Sequence, residues 1–168
     1  MIENRKFYRL PSQSRFALGN NVRVYTGKAI NISFGGAFVH ILDVSGFRAG
    51  DRLKCDFILQ DTGPVLTTIG QVKRIAAGST NPADYSGVGF EFLEFVGDSR
   101  KLIEEFILEQ KRLYELLGTL LMNTEPDLRS MKPMLAKLPI QKAPDLRDLR
   151  IFVESALRSI QMVESKNA

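Results

Sequence analysis

The sequence of 168 residues predicts a mainly β domain, a sandwich or a small barrel, followed by a long helix and a second, C-terminal helix. Three observations predict this class. Between Ser14 and Phe92, apolar and polar residues alternate in short runs separated by turn residues, the period of half-buried strands. No helical period interrupts these runs, which favours an antiparallel sandwich or barrel. After Gly97 the apolar spacing changes to steps of three and four, the period of a helix.

Each element has its own signal. "RFALGNNVRVY" alternates on both sides of Gly-Asn-Asn and reads as a hairpin. "GAFVHIL" reads as a strand. In "GDRLKCDFIL", Leu53, Cys55, Phe57 and Leu59 share one face. "GPVLTTIGQVKRI" is a longer strand whose internal Gly70 predicts a bulge or a bend. "AAGSTNPADYSG" is a loop by composition. "SGVGFEFLEF" sets Val88, Phe90 and Phe92 on one side.

The helical part starts at Asp98 or Ser99, either of which can cap the first turn. Ile103, Phe106, Gln110, Leu113, Leu117 and Leu120 form its stripe, widened by Leu102, Ile107, Leu116 and Leu121. Pro126, Pro133, Pro139 and Pro144 segment the next connection, with room for one short helix near "DLRSMKPMLAKL". In the last helix, Leu146, Leu149, Val153, Ala156, Ile160 and Val163 recur in alternating steps of three and four, the spacing of a helix–helix seam. That seam either folds back on the first helix or meets another subunit. These textures divide the chain into 1–97 (β domain with an N-terminal hook), 98–122 (long helix), 123–144 (Pro-rich connection) and 145–168 (C-terminal helix).

Charge is unevenly placed. Residues 1–30 carry Arg5, Lys6, Arg9, Arg15, Arg23 and Lys28 against the single acid Glu3, whereas the rest of the chain is nearly balanced. A positive field at the front favours an anionic partner. No apolar run reaches the roughly 18 residues of a membrane span. No apolar signal core follows Met1, and there is one cysteine, Cys55. Together these predict a cytoplasmic protein. A lone His40 and a lone Cys55 give neither a catalytic constellation nor a metal set, and no phosphate-cradling glycine loop of the Walker type appears. The sequence therefore predicts a non-enzymatic protein without a cofactor. Cys55 is expected to pack as a small apolar side chain, and His40 to face solvent from its strand.

Two segments stand apart. "ENRKFYRLP" is basic and aromatic yet suits neither a helix nor a core strand. Arg5 and Arg9 each offer a planar fork of donors for a phosphate or a guanine edge, with Lys6 between them. "NISFGGAFV" crowds Asn31, Ser33, Gly35 and Gly36 into a polar, low-bulk patch that a flat ligand can approach closely. Phe7 and Tyr8 are expected to anchor the hook on the β domain.

"RKFYR" looks like the RxxxR motif of the PilZ domain family, "NISFGG" looks like its [D/N]xSxxG motif, and "YSGVGFEF" resembles its last strand. The resemblance covers roughly 3–110. It implies a six-stranded antiparallel barrel that binds cyclic di-GMP. By match, Arg5 and Arg9 would grip guanine and phosphate, Asn31 and Ser33 would hydrogen-bond a guanine edge, and Gly36 would keep the floor clear. Arg74 is a supplementary contact, placed just past its strand. Asn31 stands where a carboxylate is the other permitted residue, so one acceptor faces guanine's two donors. The expected function is a bacterial receptor or adaptor that signals through its helices to a partner protein or to another subunit. The alternative is a non-binding assembly module that oligomerises through those helices. A single-stranded nucleic-acid barrel would need a broader basic groove, and the acidic balance of 31–97 speaks against DNA or RNA as partner.

Overall fold

The computed structural model describes residues 6–20, 22–78, 85–123, 125–140 and 145–167. The alternating runs become β1 (Leu10–Pro11), β2 (Arg15–Gly19), β3 (Val24–Ser33), β4 (Gly36–His40), β5 (Arg52–Ile58), β6 (Leu66–Ala77) and β7 (Ser86–Val96). The helical period becomes α1 (Ser99–Leu121), α2 (Leu128–Leu135) and α3 (Leu146–Asn167). The strands run in the order β1-β3-β2-β5-β6-β7-β4, and β3 also pairs with β4. Strands β2 to β7 thus close a six-stranded antiparallel barrel, with β1 outside it beside β3.

Alternation fixes what the barrel encloses. On β5, Leu53, Cys55 and Phe57 are buried while Arg52 and Lys54 are exposed. Phe16 and Phe57 stack with centroids 4.5 Å apart, Phe57 stacks on Phe92, and Phe90 meets Phe16 and Phe92 edge-on. These rings fill the interior with large apolar surface. The predicted irregularity at Gly70 is present: the β6–β7 register shifts between Ile69 and Gly70. A Cβ there would press on the Phe90 ring and the Cys55 sulfur, at 2.9 and 3.2 Å.

The chain groups into two compact units, Pro11–Phe106 and the chain on either side of it, so the division falls inside α1. At the start of α1, Gly97 has φ +58, a value that suits glycine. The Asp98 carbonyl takes the first helical bond, from the Leu102 amide. Of the two expected caps, Asp98 thus stands at the cap position, and the Ser99 hydroxyl accepts from the Thr67 amide of β6 at 3.0 Å.

In the second unit, α3 folds back antiparallel on the latter part of α1. Arg150 donates to the Asn123 carbonyl, Leu157 faces Gly118, and Glu164 pairs with Lys111. A Cβ on Gly118 would lie 2.6 Å from Leu157 Cδ1, so glycine sets how near the helices come. The seam residues Leu149, Val153, Ala156, Ile160 and Val163 are all buried, within the chain rather than against a copy. Leu116, expected to widen the α1 stripe, is half exposed, while Tyr114 is fully buried beside Phe152. Asp127 caps α2 by accepting from the Arg129 amide, and Asp145 caps α3 by accepting from the Asp148 amide.

Candidate functional site

Cross-strand pairing writes the outer face of β3, β4, β7 and β6 as rows. Asn31 pairs with Phe38, Phe38 with Gly89, and Gly89 with Arg74. On one side runs Ser33–Gly36–Glu91–Gln71, and on the other Lys28–His40–Gly87–Ala76. Directly paired residues share a face, so Asn31, Ser33, Gly36 and Arg74 all lie on this outer surface. The alternate rows, such as Ile32–Ala37–Phe90–Val72, are buried inside the barrel.

Two bulges put the candidate residues Asn31 and Arg74 there. Between Ala29 and Asn31 the β3–β4 register shifts, making Ile30 the extra residue; between Val72 and Arg74 the β6–β7 register shifts at Lys73. A bulge breaks strict alternation and re-aims the side chains beyond it. Ala29 and Val72 point inward and are buried, so regular strands would also turn Asn31 and Arg74 inward. Arg74, expected past the strand end, therefore sits within β6 as an exposed residue.

The turn itself is tight. Ser33 pairs with Gly36 across Phe34 and Gly35, and the buried Ser33 hydroxyl donates to the Gly36 carbonyl at 3.2 Å. The Gly35 carbonyl accepts from the Phe92 amide at 2.9 Å. A Cβ on Gly36 would overlap the Phe90 carbonyl oxygen, so glycine is needed there for close strand approach, not for a positive φ. Asn31 Oδ1 is buried and has no hydrogen-bond partner among the described residues. An orphaned buried acceptor costs about 1–3 kcal/mol, and a ligand donor would relieve that cost.

Phe38 is the residue on this face that sequence reasoning missed. Its ring lies along β7, where a Cβ at Gly87 would come to 3.0 Å from Phe38 Cζ and one at Gly89 to 3.5 Å from Cδ2. Alternation from the solvent-facing His40 places Phe38 on the outer face, an unusual setting for a large apolar ring. The signal for it was the Gly87-x-Gly89 pair, which leaves room for an aromatic on the neighbouring strand.

Of the hook, Arg5 lies outside the described residues. Lys6 is exposed, its ammonium 5.4 Å from the Phe7 ring centroid. Tyr8 and Leu10 are buried, whereas Arg9 is exposed and its amide donates to Ser159 Oγ at 2.9 Å. Burial raises the Tyr8 pKa; Lys111 acts against this, and Glu164 and Glu115 reinforce it. Lys111 bridges Glu115 and Glu164, and its hydrogen bond to Glu164 is the main cause of its own raised pKa. Tyr8, expected to anchor the hook on the β domain, thus sits among charges of α1 and α3, and Arg9 beside it is bonded to α3.

Elsewhere the titratable groups have structural explanations. Cys55 is fully buried, and burial pushes its thiol up to about 12. His40 Nδ1 lies 2.7 Å from the Ser86 carbonyl, with the Tyr85 ring edge-on to it. Among the described residues, no three His, Cys, Asp or Glu side chains gather as metal ligands would, and no helix is long and apolar enough to cross a membrane.

The fold has known counterparts. The inhibitor of motility from Bacillus subtilis (MotI/DgrA) superposes with a TM-score of 0.54 at 18% identity, over 65% of this chain and 51% of that one. The chain thus spans about half of that protein's length. The PilZ domain of YcgR from Escherichia coli, solved with c-di-GMP, gives a TM-score of 0.53 at 14% identity, covering 66% of this chain and 93% of that one. The K. pneumonia MrkH–c-di-GMP complex gives 0.52 at 21% identity, covering 66% and 55%. No curated protein matches by sequence. The family described as PilZ domain matches residues 3–109, well over half of the sequence, and the chain belongs to that family.

Proposed function

We propose that this chain is a bacterial, cytoplasmic receptor for cyclic di-GMP and carries out no chemistry of its own. The observation that carries this reading is Asn31 Oδ1, a buried acceptor with no protein donor among the described residues, set beside the small Ser33–Gly36 floor. A guanine edge supplies the missing donors. Ser33 adds a hydroxyl to that edge, and Gly35 and Gly36 leave room for a flat base. The Arg5 and Arg9 guanidinium groups take guanine and phosphate, with Lys6 adding charge. Arg74 and the Phe38 ring, paired in one row with Asn31, extend the face as a cationic contact and a stacking surface. The two neighbours solved with c-di-GMP share this fold, which supports the choice of ligand.

The output of such a receptor is its helical tail, meeting a partner protein or a second copy. The α3 seam is filled within the chain, so the tail's outer residues, with Leu116, Met122 and Ile151 exposed, are what remains for contact.

Calorimetric titration of cyclic di-GMP into the wild type and an Arg5→Ala/Arg9→Ala variant tests the assignment. Charge-assisted hydrogen bonds contribute about 1.5–3 kcal/mol each, so the double variant is expected to bind at least about 100-fold more weakly than a micromolar or tighter wild type. A folded wild type that gives no heat and no thermal shift removes the receptor reading and leaves the assembly module.

A further inference from the structure

The hook is carried by the helices. The Arg9 amide donates to Ser159 Oγ at 2.9 Å, across 150 residues of sequence. The preceding residue, Tyr8, is buried, and the charges that act on it are Lys111 and Glu115 of α1 and Glu164 of α3. Lys111 joins those two helices by pairing with Glu164 while it also holds Glu115. Serine is a mediocre helix former, and Ser159 stands in the middle of α3 beside the seam residue Ile160. Its hydroxyl takes the Arg9 amide as a hydrogen bond, which gives a serine at this place a purpose.

We propose that Ser159, supported by the Lys111–Glu164 pair, is a positioning residue for ligand binding: α1 and α3 fix the backbone course of Tyr8–Arg9, from which Arg9 meets the ligand. The inference rests on the receptor reading above and assigns the helical hairpin a place in the binding apparatus as well as in its output. The bond to Ser159 uses the Arg9 amide, so ligand contact by the guanidinium leaves it in place. A segment already ordered at its backbone has less freedom to lose when a ligand binds, and affinity rises accordingly. Linkage makes the effect mutual: a ligand that favours the held hook also steadies the helices that hold it.

Titrating cyclic di-GMP into the full-length wild type, Ser159→Ala and Ser159→Thr tests this. Loss of one hydrogen bond is expected to weaken binding about three- to tenfold in Ser159→Ala. The unfolding midpoint should scarcely move. Ser159→Thr keeps the hydroxyl and should restore most of the affinity. In the absence of ligand, hydrogen exchange of the Arg9 amide should be faster in Ser159→Ala than in wild type. If Ser159→Ala binds as tightly as wild type or more tightly, or if threonine does not rescue it, the positioning role is overturned while the receptor stands. If the wild type takes up no dinucleotide, the receptor reading is lost and this inference with it.

Discussion

The β3–β4 turn and the N-terminal segment carry the two motifs of the proposed site, and they are held in opposite ways. At the turn, pairing with β7 and the Gly35–Phe92 bond brace Ser33 and Gly36 from the next strand. The segment from Lys6 to Leu10 is held by a two-residue strand end, two buried side chains and the bond to Ser159. The turn is a template whose shape the sheet dictates. The described part of the hook takes its shape from side chains and one backbone bond rather than from a ladder, which on the proposed reading would let its approach to a ligand be adjusted without disturbing the core.

The largest expected effect tests the rigid half. Gly36→Ala drives a methyl group into the Phe90 carbonyl and is expected to cost about 3 kcal/mol or more, read from the denaturant midpoint. A near-neutral result would mean that the turn is as adjustable as the hook. Next comes Asn31→Asp. Without ligand it places a charge where no donor waits, and stability should fall by about 1–3 kcal/mol. With cyclic di-GMP, two carboxylate oxygens meet two guanine donors, and affinity should rise about tenfold. If affinity falls instead, Asn31 does not face the base edge.

Smaller effects probe the helical unit. Tyr114 is fully buried and its hydroxyl has no partner among the described residues; burial pushes its pKa far up. Tyr114→Phe should therefore leave stability unchanged or raise it by up to about 1 kcal/mol; a clear loss in thermal unfolding would reveal a partner for that hydroxyl. The smallest effect belongs to the barrel interior. Cys55, pushed up to about 12, should resist alkylation in the folded protein at pH 8. Above roughly pH 8.5 the unfolded thiol ionises while the folded one does not. Stability should thus decline gently as pH rises from there toward 12 and be indifferent to this group below it.

Most of the barrel was legible because alternation and turn residues act locally. Leu53, Cys55 and Phe57 declared an inner face, and Gly70 declared a break in the ladder. The α3 seam was equally plain, but spacing specifies a face and not its partner, which proved to lie in the same chain. Leu116, read as part of the stripe, is half exposed, and Tyr114, outside it, is buried, because a sequence stripe assumes one partner direction while α1 has neighbours on more than one side. Within the site, Asn31, Ser33 and Gly36 were read from the motif itself. The position of Arg74 was not, since it depends on a bulge that pairing reveals and period counting hides; Phe38 lies on the regular β4, and its bed of Gly87 and Gly89 shows only in the pairing. Nor did a Ser in mid-helix announce a contact with Arg9, which no local rule connects.

The bulges at Ile30 and Lys73 act as frame-keepers: each absorbs one extra residue, so inside and outside stay correctly assigned along the remainder of its strand. Forcing regular alternation on β3 with Ile30 retained would turn Asn31 and Ser33 toward the aromatic interior and Ile32 out to water, and on β6 with Lys73 retained it would turn Arg74 inward; deleting either extra residue would leave those side chains on the outer face. This face should accept many exchanges of side chain, and the loss of Ile30 or Lys73 themselves, more readily than a one-residue deletion elsewhere in β3 or β6, whereas the 59–65 connection, outside either strand, has no frame to lose.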